Sequence, residues 1–428
     1  MPLHPENRFI WRFPRNIMRS VFTVGTAAAI GQVLLMLYSF IIARWLGPEK
    51  YAVIVANYSI CAISSILINL GLDTWFLRKE VKGLELRSVA GHVVVIKVLA
   101  GVLWGILIWS ILPIIRPNIY FRTVLSIAVL NTIFEATTNV FYVVLFKDER
   151  FKVSSIIFLC DRILRLLSAF ILILFSIDDI YLFISVRLII DILFFAIAWV
   201  YARPILELKV KRFWKRIMAD SVPYTASDAI KVVYQQADVN LVSLLTEDVN
   251  VISFFSVAIN LINVIFAIIE TLQNVFIPKL SKLFEKRSQK LIKSIIFTLA
   301  GFAGIGFFLW VGLSSFGGQI VNFTLGEAYS ISGMYLDRLS SIFLIRSMTV
   351  GISIILISIN LQKNRIIPQA VATGFKVVFG LILFTLMNIQ GMLWVYILSE
   401  FVMLIGLLWV LSKWFLKIRN QEADLFHF

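Results

Sequence analysis

The sequence is poor in charged residues and in residues that bind metals. Only 15% of its 428 residues are Asp, Glu, Lys or Arg, whereas 60% are hydrophobic. Soluble domains carry charge on about a quarter of their residues, so this chain has too little polar surface to face water on all sides. Its two cysteines lie in apolar runs and its three histidines are scattered, which argues against a disulfide framework and a metal site. The composition therefore predicts a membrane protein.

Long apolar runs dominate the chain instead. A helix needs about 20 apolar residues to cross a hydrocarbon core of about 30 Å. By this rule the sequence predicts an all-α polytopic membrane protein with about twelve transmembrane helices and short connections. The predicted spans are 21–43, 51–77, 89–113, 122–146, 153–176, 180–202, 219–245, 250–276, 291–314, 335–359, 366–388 and 391–412.

The distribution of basic residues predicts the orientation of these spans. With the N-terminus inside, the inner segments hold 28 Lys and Arg residues and the outer segments hold 4. Basic residues are enriched on the cytoplasmic side of membrane proteins, so both termini are expected in the cytoplasm. The net charge of +15 then reflects membrane orientation, and no nucleic-acid partner is expected.

A basic segment in the middle of the chain divides the predicted spans into two equal sets. Residues 1–202 form the predicted N-terminal six-helix bundle, 203–218 a basic cytoplasmic linker, and 219–428 the C-terminal six-helix bundle. Because each half has an even number of spans, both halves enter the membrane from the same side, as in parallel repeats. An acidic turn followed by an apolar helix begins at both Leu46 and Leu245, which supports the repeat.

Several predicted spans carry polar residues along one face. In "YTASDAIKVVYQQADVN", polar residues from Tyr224 to Asp238 are spaced by 4, 3, 4 and 3 positions, which places them on one side of a helix. Similar stripes in the fourth, eighth and eleventh spans predict a central cavity, while interhelical hydrogen bonds worth about 0.6–2 kcal/mol each are the alternative explanation. The candidate cavity residues are Lys97, Glu135, Asp228, Lys231, Gln235, Asp238, Glu270, Arg346 and Lys376.

Spacing also predicts which of the charges in the spans neutralise each other. The predicted pairs, three or four residues apart on one helix, are Asp161 with Arg165, Arg187 with Asp191, and Asp228 with Lys231. Lys97, Arg346 and Lys376 have no acid at such a spacing, and a buried cation needs a counter-ion. They are candidates for binding an anionic head group, although a glutamate on a neighbouring helix would explain each one equally well. The glutamates concerned are Glu135, Glu270 and Glu400.

The stretch "ARWLGPEKYAVIVANYSI" resembles the polysaccharide transport family. These are Wzx-type flippases for lipid-linked oligosaccharides, in a superfamily with the MATE multidrug exporters and the lipid II flippases. The family pattern is matched by Arg44, Leu46, Gly47 and Tyr51, whereas Ala52 replaces its usual glycine. The stretches "QQADVNLVSLL" and "LGEAY" extend the similarity into the second half.

The resemblance implies two six-helix bundles around a central cavity that opens to the two sides in turn. It also implies movement of an undecaprenyl-pyrophosphate-linked oligosaccharide, such as an O-antigen, capsule or exopolysaccharide repeat unit, from the inner to the outer leaflet of the bacterial inner membrane. The implied partners are this glycan, membrane lipid and glycan polymerase machinery. No catalytic residue, metal or cofactor is expected, and coupling to protons or sodium ions stays open.

Two other functions are weighed against a flippase. A MATE-type cation-coupled multidrug exporter would bind its cation through Asp228, Asp238 or Glu270. A membrane glycosyltransferase, polymerase or ligase would need a large outer loop with acids, His or Arg. The longest outer connection, 315–334, contains Glu327 and no basic residue, so the enzyme interpretation is disfavoured.

Overall fold

A computed structural model describes residues 15–79, 83–115, 118–207, 214–285 and 290–425. Within these ranges the chain is helical and contains no strand, so the prediction of an all-α polytopic protein is confirmed. The helices are α1 (Arg15–Ser64), α2 (Ile66–Asn69), α3 (Leu72–Arg78), α4 (Gly83–Ile115), α5 (Ile119–Lys147), α6 (Phe151–Leu174), α7 (Ile180–Ala202), α8 (Trp214–Leu245), α9 (Val249–Thr271), α10 (Gln273–Glu285), α11 (Lys290–Leu325), α12 (Ser330–Leu339), α13 (Ile342–Ser358), α14 (Ile366–Met387) and α15 (Ile389–Leu425).

Each of the twelve predicted spans falls on one of these helices or on a bent succession of them. By length and composition alone, eight of the described helices could cross a membrane, or nine if the pair bent by 55° at residues 340–341 counts as one span. The difference from twelve has two causes. The stretch Gly25–Asn69 counts once although it is broken at Gly47, and the charges on α6 and α8 lower the apolarity of those two helices.

Two glycines make the same turn in the two halves of the chain. Gly47, inside α1, has φ 75° and ψ 172°, and Gly326, just after α11, has φ 89° and ψ 174°. This region of backbone conformation is essentially restricted to glycine. Each glycine follows a buried leucine, Leu46 or Leu325, so the two Leu-Gly dipeptides end a long helix in the same way.

Contacts around these turns join the two halves at one end of the molecule, here called the Gly47 end (residues 43–50, 177–179 and 323–329). The Arg44 guanidinium donates hydrogen bonds to the carbonyls of Phe323 (3.2 Å) and Thr324 (3.1 Å), at the C-terminus of α11 where a cation is favoured by the helix dipole. The Tyr329 hydroxyl donates to the carbonyl of Ala43 at 2.9 Å. The two stretches that carry the family resemblance, around Arg44 and Tyr329, therefore contact each other.

The Gly47 end also holds an exposed ion pair. The Lys50 ammonium lies 2.7 Å from the Asp178 carboxylate, and its hydrogen bond lowers the pKa of Asp178 from the ordinary value. The pair joins the turn after Gly47 to the connection between α6 and α7. It adds a polar contact within the first half of the chain.

The opposite end, here called the Asp220 end (residues 71–79 and 220–228), has its own contacts between the halves. Thr74 on α3 donates to Asp228 on α8 at 3.0 Å, and Lys79 lies 3.9 Å from Asp220. At Gly71 a Cβ atom would come within 2.3 Å of the backbone nitrogen of Thr225, so α8 passes directly over this turn.

The exterior of the helices is apolar, as expected for lipid contact. Phe308 and Phe323 on α11 are 77% and 84% exposed, and Leu103 on α4 is 68% exposed. A soluble protein rarely exposes apolar side chains on this scale. The division into bundles at 203–218 stays a prediction, since 208–213 lie outside the described residues and α8 begins at Trp214.

Candidate functional site

A cavity of about 600 Å³ lies between helices from both halves of the chain. Its walls are formed by α1, α2, α5, α7, α8, α9 and α13, and its volume is within the usual range for ligand pockets, about 300–1,000 Å³. The charged residues of the lining are Glu135, Arg187, Glu270 and Arg346. Its side-chain amides are Gln32, Asn69, Asn139, Gln235, Gln236, Asn260 and Asn263.

Four of the nine predicted cavity residues line this space: Glu135, Gln235, Glu270 and Arg346. Carboxamides both donate and accept hydrogen bonds, so the lining suits a ligand with many hydroxyl groups. The two glutamates and two arginines balance in charge. The remaining five predicted residues, Lys97, Asp228, Lys231, Asp238 and Lys376, are not part of this lining.

Lys376 is held by a buried ion pair. Its ammonium lies 2.7 Å from the Asp238 carboxylate, and the two side chains are 1% and 0% exposed. It also donates to the carbonyl of Tyr234 at 3.1 Å and lies over the rings of Tyr234 and Tyr396. Lys376 therefore joins α14 to α8 with Asp238 as its counter-ion, which agrees with the alternative of an acid on a neighbouring helix, although Asp238 is none of the three glutamates named for it.

Lys97 is neutralised in a similar way. Its side chain is 0% exposed and its ammonium lies 2.5 Å from the carboxylate of Asp73 on α3. This acid is on a neighbouring helix, as the alternative explanation required, although it is none of the three glutamates named there.

The predicted pair of Asp228 and Lys231 is not formed within the described part of the chain. Asp228 accepts a hydrogen bond from Thr74 instead, and Lys231 is exposed. The polar residues of α8 therefore have different surroundings at different points along the helix. Gln235 and Gln236 face the cavity, Asp238 is paired with Lys376, and Asp228 joins the Asp220 end.

A network of six charged side chains from α5, α6 and α7 lies at one wall of the cavity, and two of the six, Glu135 and Arg187, line it. The predicted pairs are confirmed, at 2.9 Å for Asp161 with Arg165 and 4.0 Å for Arg187 with Asp191. Glu135 contacts three arginines at once, which the spacing rule could not reveal because Glu135 is on another helix. The distances from its carboxylate are 3.3 Å to Arg162, 3.6 Å to Arg165 and 3.1 Å to Arg187.

Arg187 is the cavity residue that sequence reasoning missed. Its spacing to Asp191 suggested a purely structural pair, yet its side chain lines the cavity and its guanidinium stacks 4.3 Å from the ring centroid of Tyr58. The Nε atom of Arg187 lies 4.0 Å from Asp191, a weak contact. Its Nη2 atom donates a hydrogen bond to Glu135. The sequence does contain a signal for this: α6 and α7 carry three arginines and only two acids, so one arginine needs a partner on another helix.

Arg346 forms the facing wall from the second half of the chain. It donates to the Asn263 amide oxygen at 3.0 Å and lies 3.8 Å from Glu400, one of the three glutamates named as alternative partners. Its guanidinium also lies 4.6 Å from the centroid of the Phe266 ring. The prediction that Arg346 is a cavity cation agrees with this placement, but it already has a carboxylate nearby. Among the described residues, no three His, Cys, Asp or Glu side chains are grouped as a metal site.

Comparisons with known proteins find a matching family and several solved structures of similar fold. A family model described as "Polysaccharide biosynthesis protein" matches residues 41–334. A multidrug resistance MATE family transporter of the MOP superfamily in an inward-facing conformation superposes with a TM-score of 0.70 at 15% identity, covering 89% of this chain and 94% of the other. The lipid II flippase MurJ in an inward closed conformation gives 0.71 at 14% identity, covering 91% and 87%.

An outward-facing MATE family transporter gives a TM-score of 0.60 at 14% identity, covering 92% of this chain and 95% of the other. A comparison with curated proteins returns no match. At these identities the structural similarities establish the fold.

Proposed function

The chain belongs to the family of polysaccharide biosynthesis proteins, and from this premise we propose that it is a flippase for a lipid-linked oligosaccharide. The resemblance identified from the motifs around Arg44 and Tyr329 agrees with this membership. The proposed cargo is an undecaprenyl-pyrophosphate-linked oligosaccharide, such as an O-antigen, capsule or exopolysaccharide repeat unit. It would move from the inner to the outer leaflet of the bacterial inner membrane.

The amide-rich cavity is the observation that carries the proposal. Sugar hydroxyls cannot enter hydrocarbon without hydrogen-bond partners, because each unpaired polar group costs several kcal/mol there, on the order of 2–7. The seven carboxamides of the lining supply donors and acceptors within an otherwise apolar group of helices. Arginine binds phosphate groups well, so Arg187 in the lining can attract the diphosphate while the lipid chain stays in the bilayer.

The contacts between the halves support a mechanism of alternating access. If the basic connections are cytoplasmic, as the sequence predicts, the Gly47 end faces outward, and there Arg44 and Tyr329 tie α1 to the end of α11. Cargo would enter from the cytoplasmic side after the contacts at the Asp220 end separate, and it would leave after those at the Gly47 end separate. Transport of this kind makes and breaks no covalent bond, so we assign no catalytic residue.

Reconstitution in liposomes tests the proposal. We expect the purified protein to move a lipid-linked diphosphate oligosaccharide with a fluorescent glycan across the bilayer, as measured by loss of protection from a membrane-impermeant quencher. Replacing Gln235 with Leu should slow this movement about three- to tenfold, because one hydrogen bond in the cavity is worth about 0.5–1.5 kcal/mol. The exposed Lys231, one turn away on the same helix, provides the matched control: Lys231→Ala should move cargo at the wild-type rate.

The same liposomes also test the alternative of a multidrug exporter. Efflux of a cationic dye driven by a proton or sodium gradient, with no movement of the lipid-linked glycan, would replace the flippase proposal with an exporter. Dye-binding carboxylates would then be sought at Glu270, which lines the cavity.

A further inference from the structure

The arginine-rich wall of the cavity has more guanidinium groups than the predicted pairs could neutralise. We propose that Arg162 and Arg187 form the binding site for the diphosphate of the cargo, and that Glu135 occupies this site as an internal counter-ion while the protein is empty. The inference rests on the proposed function, whose cargo it describes more closely. It places the diphosphate on the wall formed by α5, α6 and α7.

The contacts of Glu135 are those expected of a small dianion in the same position. One carboxylate oxygen, Oε1, lies 3.3 Å from Arg162 Nη2, and the other, Oε2, lies 3.1 Å from Arg187 Nη2. The two oxygens thus bridge arginines from two different helices. Phosphate oxygens bind guanidinium groups with the same charge-assisted geometry as a carboxylate, so a diphosphate can take over both contacts.

Burial distinguishes Glu135 from the other two acids of the network. The side chains of Asp161 and Asp191 are 5% and 0% exposed, and both bind Arg165, at 2.9 and 2.7 Å. Glu135 is 30% exposed and borders the cavity. Arg165 is therefore fixed by two buried acids and acts as a positioning residue. Glu135, which contacts Arg162 and Arg187 at the edge of the cavity, can be displaced by a ligand.

The network contains buried hydrogen-bond donors that its own contacts do not use. Arg162 Nη1, Arg187 Nε and the Tyr142 hydroxyl have no hydrogen-bond partner among the described residues. A small cavity of about 10 Å³, room for about one water molecule, lies beside Glu135, Tyr142 and Arg162. A diphosphate has more acceptor oxygens than a carboxylate and can satisfy donors that Glu135 leaves unpaired.

The charge balance gives this arrangement selectivity. Three arginines face three acids, so the network is neutral when Glu135 is in place. A neutral or weakly charged ligand gains little by displacing a carboxylate. A dianion gains more from the same guanidinium groups, because the attraction scales with the product of the charges. The site would therefore accept a diphosphate-linked lipid and reject uncharged glycolipids.

The substitution Glu135→Gln tests the inference, since it keeps the size of the side chain and removes its charge. We expect the purified full-length variant to bind inorganic pyrophosphate about tenfold more tightly than the wild type in isothermal titration calorimetry, because a competing anion has been removed. A purely structural Glu135 predicts the opposite, because its loss would leave the arginines less well positioned. Thermal unfolding of each variant shows that it is folded.

Glu247→Gln is the matched control, because Glu247 is an exposed glutamate that does not line the cavity. Its pyrophosphate affinity should stay within about twofold of the wild type. In the Glu135→Gln background, Arg187→Gln and Arg162→Gln should each remove the gain, and one folded double variant suffices for this test. Unchanged or weaker binding by Glu135→Gln, or a gain that survives loss of either arginine, would overturn the inference.

Two further measurements test the identity of the natural ligand and distinguish failure of this inference from failure of the proposed function. If the lipid-linked diphosphate is the natural ligand, undecaprenyl diphosphate in vesicles should displace pyrophosphate, whereas phosphatidylcholine vesicles should not. Failure of the lipid to compete would overturn the assignment to cargo. Binding is measured without transport, so a protein that fails to move the glycan but shows tighter binding in Glu135→Gln would contradict only the flippase proposal.

Discussion

Lys376 shows how a single charge is accommodated in the apolar interior of this protein. The residue is buried between α14 and α8, and Asp238 supplies its counter-ion at 2.7 Å. Taking two charges out of water is costly, and their attraction offsets this only while both are present. The pair therefore tolerates joint replacement better than loss of one partner.

We predict that Lys376→Met destabilises the protein by about 3–5 kcal/mol, the usual cost of leaving one buried charge without its partner. The double variant Asp238→Asn with Lys376→Met should recover most of this loss, as measured by chemical unfolding in detergent. Lys231→Ala, at an exposed position on α8, should change stability by less than about 0.5 kcal/mol. Wild-type stability in Lys376→Met together with lost pyrophosphate binding would return Lys376 to the binding site.

Pairing was predictable where the partners share a helix and unpredictable where they do not. The spacing of Asp161 and Arg165 indicated their contact directly. Asp238 and Lys376 are 138 residues apart, so their contact depends on how α8 packs against α14. Glu135 and Arg187 are separated in the same way. A single sequence therefore identifies which charges lie in the spans. It does not show which of them neutralise each other when the partners are on different helices.

At the scale of helices, the two Leu-Gly turns set where long apolar helices are interrupted. Gly47 separates the two arms of α1, and Gly326 ends α11 and starts the turn that leads to Tyr329. Within the described part of the chain, a Cβ atom at either glycine would meet no neighbouring atom within 4 Å. The requirement for glycine is therefore one of backbone conformation and not of space.

Replacing either turn glycine with alanine should cost about 1–3 kcal/mol of stability, the usual strain of a residue with a side chain in this backbone region. Gly301→Ala is the control, because Gly301 is helical within α11 and also has open space around its Cα. Alanine favours a helix by about 0.8–1.0 kcal/mol over glycine, so this variant should be unchanged or more stable. Equal effects at all three positions, in thermal unfolding, would refute the role of backbone conformation.

The sequence predicted where helices lie better than where they bend. Apolar length placed all twelve spans on described helices. It did not predict that the second span breaks at Leu70 and Gly71, or that the tenth bends by 55°. The first break lies against the backbone of Thr225 on α8, and the close contact there leaves no space for a Cβ atom at Gly71. Breaks of this kind need tertiary information.

At the scale of the whole molecule, the charges on the connections and the contacts between the halves support one orientation. If the twelve predicted spans alternate in direction, Arg78 and Lys79 at the Asp220 end belong to the side that holds 28 of the Lys and Arg residues, against 4 on the other side. The Gly47 end, tied by Arg44 and Tyr329, would then face outward. The shape of the cavity, in contrast, could not be derived from the sequence, because it depends on the packing of α1 against both halves.

Cysteine labelling tests this orientation. In a Cys160→Ser background, which removes the exposed native thiol and leaves only the buried Cys61, single cysteines can replace Glu49 at the Gly47 end or Lys152 at the start of α6. Both positions are exposed. If basic connections stay in the cytoplasm, a membrane-impermeant maleimide should label Glu49→Cys in intact spheroplasts and label Lys152→Cys only after permeabilisation. The reverse pattern would invert every connection, so the contacts of Arg44 and Tyr329 would then close the cytoplasmic side and the proposed direction of transport would fail.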